Sequence, residues 1–266
     1  AAGLRPSISF VGGDLVSTNQ DVWLAYMADH MGDVLDGWSI HVYWDYTDTT
    51  KLASRLTDTR AQVDAMPAAK RKPLYVTEFG VRGITPTGTP SPGTIDGKPT
   101  ESTITNAFQH GWFDVLAAHD GFVTALKWDA YFAKYDNGTQ RYAMIDAPDT
   151  MGVWALTPVY ALSRMIDRAV PAGSDVVALD GTQAGVVLTA FRGPSGELTV
   201  LGVNTSKTKQ DFDVGGLLPA TTFHALVWNA AGDGTVSDSA SNTGDVCTVA
   251  LSLPPTSAFA VTSIAP

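Results

Sequence analysis

A single cysteine, Cys247, stands among 266 residues. It excludes an internal disulfide, and no Cys/His group has the spacing of a structural zinc site. Basic residues are few: 17 Lys and Arg against 27 Asp and Glu leave a net charge of −10, and the longest basic run is Lys70-Arg71-Lys72. Nucleic acid and anionic membrane surfaces both require clustered positive charge, so neither is expected as a partner, and a neutral substrate is easier to accept. No apolar run reaches the roughly 18 residues of a helical membrane span. Glutamate is scarce too, confined to Glu78, Glu101 and Glu197, so each can be weighed individually. What is present is a 44% hydrophobic composition, enough to bury a substantial core in one large domain or two ordinary ones. The chain starts without Met and reaches an apolar run at Ile8 to Val11 almost at once, which reads as an internal or processed start.

Up to about residue 169, short β-rich runs alternate with segments of helical period, the α/β pattern. Ser7 to Val11 is the first strand. Ser17 and Gln20 have capping-box spacing for a helix whose stripe is Trp23, Met27, Met31 and Val34. Trp38 to Trp44 is the second strand, ahead of a helix with Leu52, Leu56, Val63 and Met66 on one side. Leu74 to Thr77 is the third, with Glu78-Phe79-Gly80 at its end and a long Pro/Gly/Thr-rich loop from Val81 to Pro99. A helix with Ile104, Phe108 and Val115 follows, then the strand Phe122 to Trp128, and Pro158 opens a last helix with Val159, Leu162 and Ile166. From residue 170 onward, runs at Gly185 to Phe191, Leu198 to Val203, Phe223 to Trp228, Val246 to Leu253 and Ser257 to Thr262 predict an antiparallel β-sandwich. The expected division is 1–169 and 170–266.

Among the glutamates, Glu197 follows Gly193-Pro194-Ser195-Gly196 and reads as a hairpin residue; Glu101 sits at a helix start and reads as a cap. Glu78 differs, because the C-terminal ends of strands in parallel α/β folds are where catalytic groups gather. On the second strand His41 and Tyr43 alternate with Ile40 and Val42 and so share a face. Trp128 ends the fourth strand, with Asp129 and Tyr131 beyond it. Together these residues form a cleft suited to a sugar, whose C–H faces stack on an indole. Trp44 extends that platform, whereas Trp23, Trp112 and Trp154 are assigned to packing. The Asp/Gly-rich stretch Asp233 to Asp245 lacks the spacing of a calcium loop, so no metal site is expected. Asn137-Gly138-Thr139 and Asn204-Thr205-Ser206 are formal glycosylation sequons.

His41-Val42-Tyr43, Thr77-Glu78-Phe79-Gly80 and Trp128, in this order on successive strands, resemble strands six to eight of clan A retaining glycoside hydrolases, family 5 and its relatives 39 and 30. The resemblance implies the second half, strands 5–8, of a TIM (β/α)8 barrel. Glu78 would then be the nucleophile, Tyr43 would orient it, His41 would line the subsite with Tyr131, and Trp128 would lie under the sugar. Thr199 to Asn204 and Leu253-Pro254-Pro255-Thr256-Ser257 resemble parts of the β-sandwich appended to several of these enzymes. No cofactor is implied. Substrates in such families are β-linked glycans or glycosides, and secretion fits an enzyme of that kind.

One feature departs from the family: its acid/base glutamate lies in an Asn-Glu pair on strand four, and the chain has no such dipeptide. Retaining hydrolysis needs two carboxyl groups about 5–5.5 Å apart. Asp14 and Asp129 stand at strand ends but read as subsite contacts at most. Three arrangements remain open: a second polypeptide supplying the N-terminal half of the barrel, pairing of two half-barrels, or an incomplete fragment. A carbohydrate-binding pseudoenzyme is the alternative to an enzyme.

Overall fold

The computed structural model describes residues 8–16, 21–84, 90–91, 93–131, 142–146, 152–229, 235–242 and 248–265. Ser17, Gln20, Asn137 and its sequon, Cys247 and the two ends of the Asp233 to Asp245 stretch lie outside them.

Four parallel strands, β1 (Val11–Leu15), β2 (Gly37–Asp45), β3 (Leu74–Ile84) and β7 (Phe122–Lys127), stand in the order β1-β2-β3-β7. Helices α1 (Asp21–His30), α2 (Thr50–Ala65) and α3 (Ile104–His119) make the crossovers. Period-two alternation sorts the strand side chains. On β2, Trp38, Ile40, Val42 and Trp44 are buried in the core formed with the helices, and Ser39, His41, Tyr43 and Asp45 point the other way.

On β3 the alternation changes phase. Val76 pairs with Ile40, yet Glu78, two residues on, pairs with His41, so Thr77 is one residue in excess. Leu74 and Val76 before this bulge, and Phe79 and Val81 after it, are all buried in the same core. The bulge therefore turns consecutive polar residues, Thr77 and Glu78, away from that core. A second irregularity lies on β1, where three steps from Gly12 to Leu15 match two on β2, from Trp38 to Ile40. Gly13 and Asp14 in between have φ of 133° and 45°. Pairing also carries β3 past its expected end, to Ile84.

The segment expected as an open loop contains short strands β4 (Pro90–Ser91), β5 (Thr94–Ile95) and β6 (Lys98–Pro99). Asp96 and Gly97 join β5 to β6 with φ of 51° and 74°, as a two-residue primed hairpin turn requires. Among the helices, Leu52, Leu56 and Val63 of α2 are buried as expected. The stripe expected on α1 is displaced: Leu24 and Ala28 face the core, while Trp23, Met31 and Val34 are exposed. Trp154 is likewise exposed rather than packed.

After α4 (Pro158–Ala169) the chain forms a six-stranded antiparallel sheet in the order β13-β12-β15-β10-β9-β8 and a two-stranded ladder β11-β14. These strands are β8 (Asp175–Val177), β9 (Val186–Arg192), β10 (Leu198–Asn204), β11 (Gln210–Val214), β12 (Thr222–Asn229), β13 (Thr235–Asn242), β14 (Val249–Leu253) and β15 (Ser257–Thr262). One face of the large sheet, with Phe191, Leu201, Leu226 and Trp228, shares a core with Phe108 and Val115 of α3 and Val159, Leu162 and Met165 of α4. The other face, with Val200, Phe223, Phe259 and Val261, packs on Val214, Val249 and Leu251 of the ladder. Thr189 donates to the Val115 carbonyl at 3.2 Å, and Thr199 donates to the Ala169 carbonyl at the end of α4, one of the groups a helix leaves without an internal partner. Among the described residues no helix is long and apolar enough to cross a membrane.

Candidate active site

The non-core side of β2 and β3 is a ladder of facing polar pairs: His41 opposite Glu78, Tyr43 opposite Gly80, and Asp45 opposite Arg82. The Tyr43 hydroxyl donates a short hydrogen bond to Glu78 Oε1, and His41 Nδ1 stands 3.7 Å from Glu78 Oε2. Each carboxylate oxygen thus has its own neighbour. Burial, reinforced by the Glu78 carboxylate, pushes the Tyr43 phenol far above the usual tyrosine range, so it stays a donor. Burial raises the Tyr142 phenol as well, against the opposing pull of Arg82. Its ring lies 5.5 Å from that of Tyr43, over Gly80. Arg82 Nε pairs with Asp45 Oδ1 at 3.0 Å, closing the ladder at its outer end.

Asp14 reaches this group from β1. Its Oδ1 accepts from the Ser39 hydroxyl at 2.8 Å and from the Thr77 hydroxyl, and lies 3.5 Å from His41 Nε2. Partial burial by itself would raise the Asp14 carboxyl, but the Thr77 and Ser39 hydroxyls and the His41 ring outweigh it and hold the group below the usual carboxylate range. Asp14 is therefore an anion at neutral pH, unsuited to donating a proton. At the end of β7, burial raises the Asp129 carboxyl, against the nearby Lys127.

His41, Tyr43 and Glu78 are thus brought together. Trp128 follows β7 directly, its backbone N–H donating to the Phe79 carbonyl at 3.0 Å. Tyr131 is exposed and forms a bridge with Ile145. Trp44 corrects the sequence reading. It has the opposite parity to Tyr43, so it points into the core, where it is 0% exposed, stacks 5.1 Å from Phe113 and donates to Gln109 Oε1 at 2.8 Å. It offers no face to a sugar.

Glu101 is corrected too. The α3 cap is Thr103, which accepts from the Asn106 N–H at 3.2 Å, while Glu101 is buried in a 3-10 turn. Its charge acts on Lys127, together with those of Asp129 and Asp114. The Lys127 ammonium group donates to the carbonyls of Trp128, at 3.0 Å, and Tyr142, tying the Tyr142 segment to the end of β7. Glu197 sits in its hairpin, accepting from the Ser195 N–H at 3.0 Å. Of the three glutamates, Glu78 alone lies in this cluster.

Sequence reasoning missed Ser39, Thr77, Asp45, Arg82, Lys127 and Tyr142. The odd-numbered parity of β2 pointed to Ser39 and Asp45, but Thr77 depends on a bulge and Tyr142 on a long-range approach, neither with a local signal.

No family model and no curated protein matches the chain. Solved structures do match in fold. The family 51 arabinofuranosidase from Xanthomonas axonopodis pv. citri superposes with a TM-score of 0.62 at 15% identity, over 93% of this chain and 57% of that one. The catalytic domain of family 30 xylanase C from Talaromyces cellulolyticus gives 0.66 at 14% identity, over 99% and 54%. A β-porphyranase of glycoside hydrolase family 86 from Bacteroides plebeius gives 0.60 at 15%, over 99% and 49%. The chain has an α/β fold also found in glycoside hydrolases, and it spans about half the length of these structures.

Proposed function

We propose that the chain carries the nucleophile of a retaining glycoside hydrolase acting on β-linked glycans or glycosides, with Glu78 attacking the anomeric carbon. The observation that carries this reading is the pair of neighbours held on one carboxylate: Tyr43 on Oε1 and His41 beside Oε2. In the first step Glu78 Oε1 or Oε2 forms the bond to carbon as the bond to the leaving oxygen breaks. Water then releases the sugar from the covalent intermediate. Tyr43 orients the carboxylate, His41 lines the subsite, and Trp128 with Tyr131 supplies the sugar platform. In this reading residues 1–169 are strands 5–8 of a (β/α)8 barrel, 170–266 are a β-sandwich, and the enzyme acts outside the cell.

The proton donor comes from a second polypeptide that completes the barrel. Support for this partner comes from the two outer strands of the parallel sheet, β1 and β7, each of which, among the described residues, pairs with a strand on one side. Beside β1, Phe10, Val22, Trp23, Tyr26 and Val34 are exposed, and on β7 so are Val123 and Leu126. Exposed apolar side chains beside the outer strands of a sheet suit a docked (β/α) unit. The alternative, a carbohydrate-binding pseudoenzyme, is favoured for the chain acting alone by the state of Asp14, which is held as an anion.

An aryl glycoside with a good leaving group needs little acid assistance. Turnover of such substrates by the purified chain, abolished in Glu78→Gln, is the expected result. Glycan binding without turnover selects the pseudoenzyme, and turnover that survives Glu78→Gln removes Glu78 from the mechanism. Native mass measurement, with an assay on an unactivated glycan, tests the partner: a well-folded monomer of 28.1 kDa that cleaves such a substrate by itself overturns it.

A further inference from the structure

We propose that Asp14 is a positioning residue that acts through His41 to fix one oxygen of Glu78, leaving the other to Tyr43. This rests on the reading of Glu78 as a nucleophile and adds a control element to that same site.

Two backbone irregularities converge on Asp14. The bulge on β1 places it in the left-handed region, φ 45°, after Gly13 at φ 133°. The bulge on β3 makes Thr77 the extra residue whose hydroxyl reaches the same carboxylate oxygen across β2. The Ser39 hydroxyl, from β2 itself, donates to that oxygen and accepts from the Asp14 N–H at 3.0 Å. A single carboxylate thus gathers hydroxyls from two strands and the ring of His41.

The remaining ring nitrogen of His41 faces Glu78 Oε2. Both ring nitrogens therefore face carboxylate oxygens, 3.5 Å on one side and 3.7 Å on the other. The ring thus spans the gap between the two carboxylates, one nitrogen toward each. The titratable groups facing it are Asp14 from β1 and Glu78 from β3, with Tyr43 two residues along β2. Tyr142 and Asp129 lie beyond Tyr43, which feels the charge of both. In the glycosylation step the negative charge of Glu78 is consumed as its bond to carbon forms. A ring held in place by Asp14 keeps the attacking carboxylate from rotating before that step.

The test is NMR of the histidine ring nitrogens in the purified full chain, with His41→Asn assigning the His41 signals among the five histidines. Asp14→Asn and Glu78→Gln are each expected to shift the His41 ring signals, because each alters a carboxylate that faces one of its nitrogens. The other histidine signals stay in place and report an intact fold. His41 signals left unchanged by Asp14→Asn overturn the proposal.

Should that variant fail to fold, the Asp14 carboxyl carbon is titrated in His41→Asn: its midpoint rises if the two groups are coupled, and a midpoint that stays overturns the proposal. In turnover of an activated aryl glycoside, Asp14→Asn is expected to lower kcat roughly 10- to 100-fold with little change in KM, a split that a merely structural role would not produce. Coupling by NMR in a chain that turns over no glycoside supports the Asp14 to Glu78 linkage and counts against the hydrolase reading instead.

Discussion

Gly80 stands opposite Tyr43 in the β2–β3 register, and a methyl group on it would lie 2.9 Å from the Tyr43 ring and 3.1 Å from that of Tyr142. The phenol that holds Glu78 is therefore seated against a residue with no side chain. Gly80→Ala is expected to push the Tyr43 ring aside and lengthen its bond to Glu78. Turnover of an activated aryl glycoside should fall while the melting temperature drops by only a few degrees, an overpacking cost of about 1–3 kcal/mol. Unchanged turnover would show that the Tyr43 position is not critical.

Tyr43→Phe removes the hydroxyl and keeps the ring. The expected loss in kcat is about 100-fold, the scale found when one preorganised donor to a reacting oxygen is deleted, with the fold retained by circular dichroism. A variant as active as the parent would assign the contact to packing alone.

His110 lies in the core against Phe79 and Trp44, and among the described residues neither ring nitrogen has a hydrogen-bond partner. Burial, followed by the nearby Lys127, holds it well below the ordinary value of 6.5. The sign follows directly: an unfolded histidine takes up a proton near pH 6.5 and the folded one does not. The stability contribution is therefore complete above that pH and lost as the pH falls below it. His110→Leu should flatten the acid side of a melting-temperature profile between about pH 6.5 and 4.5. An identical acid slope would place the loss elsewhere.

Asp114 and Lys127 bend the same profile in opposite senses. Burial, with Asp167 adding to it, raises the Asp114 carboxyl from 3.8 to about 8, so its contribution is complete below pH 3.8 and is lost as the pH rises toward 8. Burial, against the pull of Asp129, Asp114 and Glu101, lowers Lys127 from 10.5 to about 7. Its contribution is complete above pH 10.5 and is lost as the pH falls toward 7. Asp114→Asn is expected to remove the decline between pH 4 and 7, raising neutral stability relative to acid stability. Calorimetric melts across that range check it, and a parallel displacement of the whole curve would refute it.

Asn204, fully buried at the end of β10, donates to the carbonyls of Thr208, Leu253 and Pro254 at 2.8–3.2 Å and accepts from the N–H and hydroxyl of Ser206. Asn204→Ala leaves these groups without their side-chain partner and should destabilise the chain by about 2–4 kcal/mol. Urea denaturation measures it, and a loss under 1 kcal/mol would mean that water replaces the amide.

The strand and helix alternation, the paired faces of β2 and the position of Glu78 were legible because each follows from a local period. His41 and Tyr43 share parity, and that put them together in the structure. The same rule was overrun by one residue for Trp44, whose even number assigns it to the core. Thr77 shows the opposite failure: a strict period of two sends it away from Glu78, and only the bulge brings both to one side. On α1 the larger side chains Trp23 and Met31 drew the stripe, whereas Leu24 and Ala28 are the residues that fit against the sheet. Glu101 looked like a cap because its partner Lys127 is 26 positions away, a separation at which a linear reading has no pattern to follow.

The sheet face that carries Phe191, Leu201 and Trp228 closes over α3 and α4, and Thr189 and Thr199 of the same sheet reach helix carbonyls. Phe113, on the other side of α3, packs in turn against Phe79, next to Glu78. The helix is thus a common wall, and the two regions it joins are unlike beads on a string. A recombination event that exchanged everything after Ala169 for a foreign sheet would leave the helices with an ill-matched surface. Heredity would have to pass the helices' outer side chains and the sheet on together, as one transmissible block.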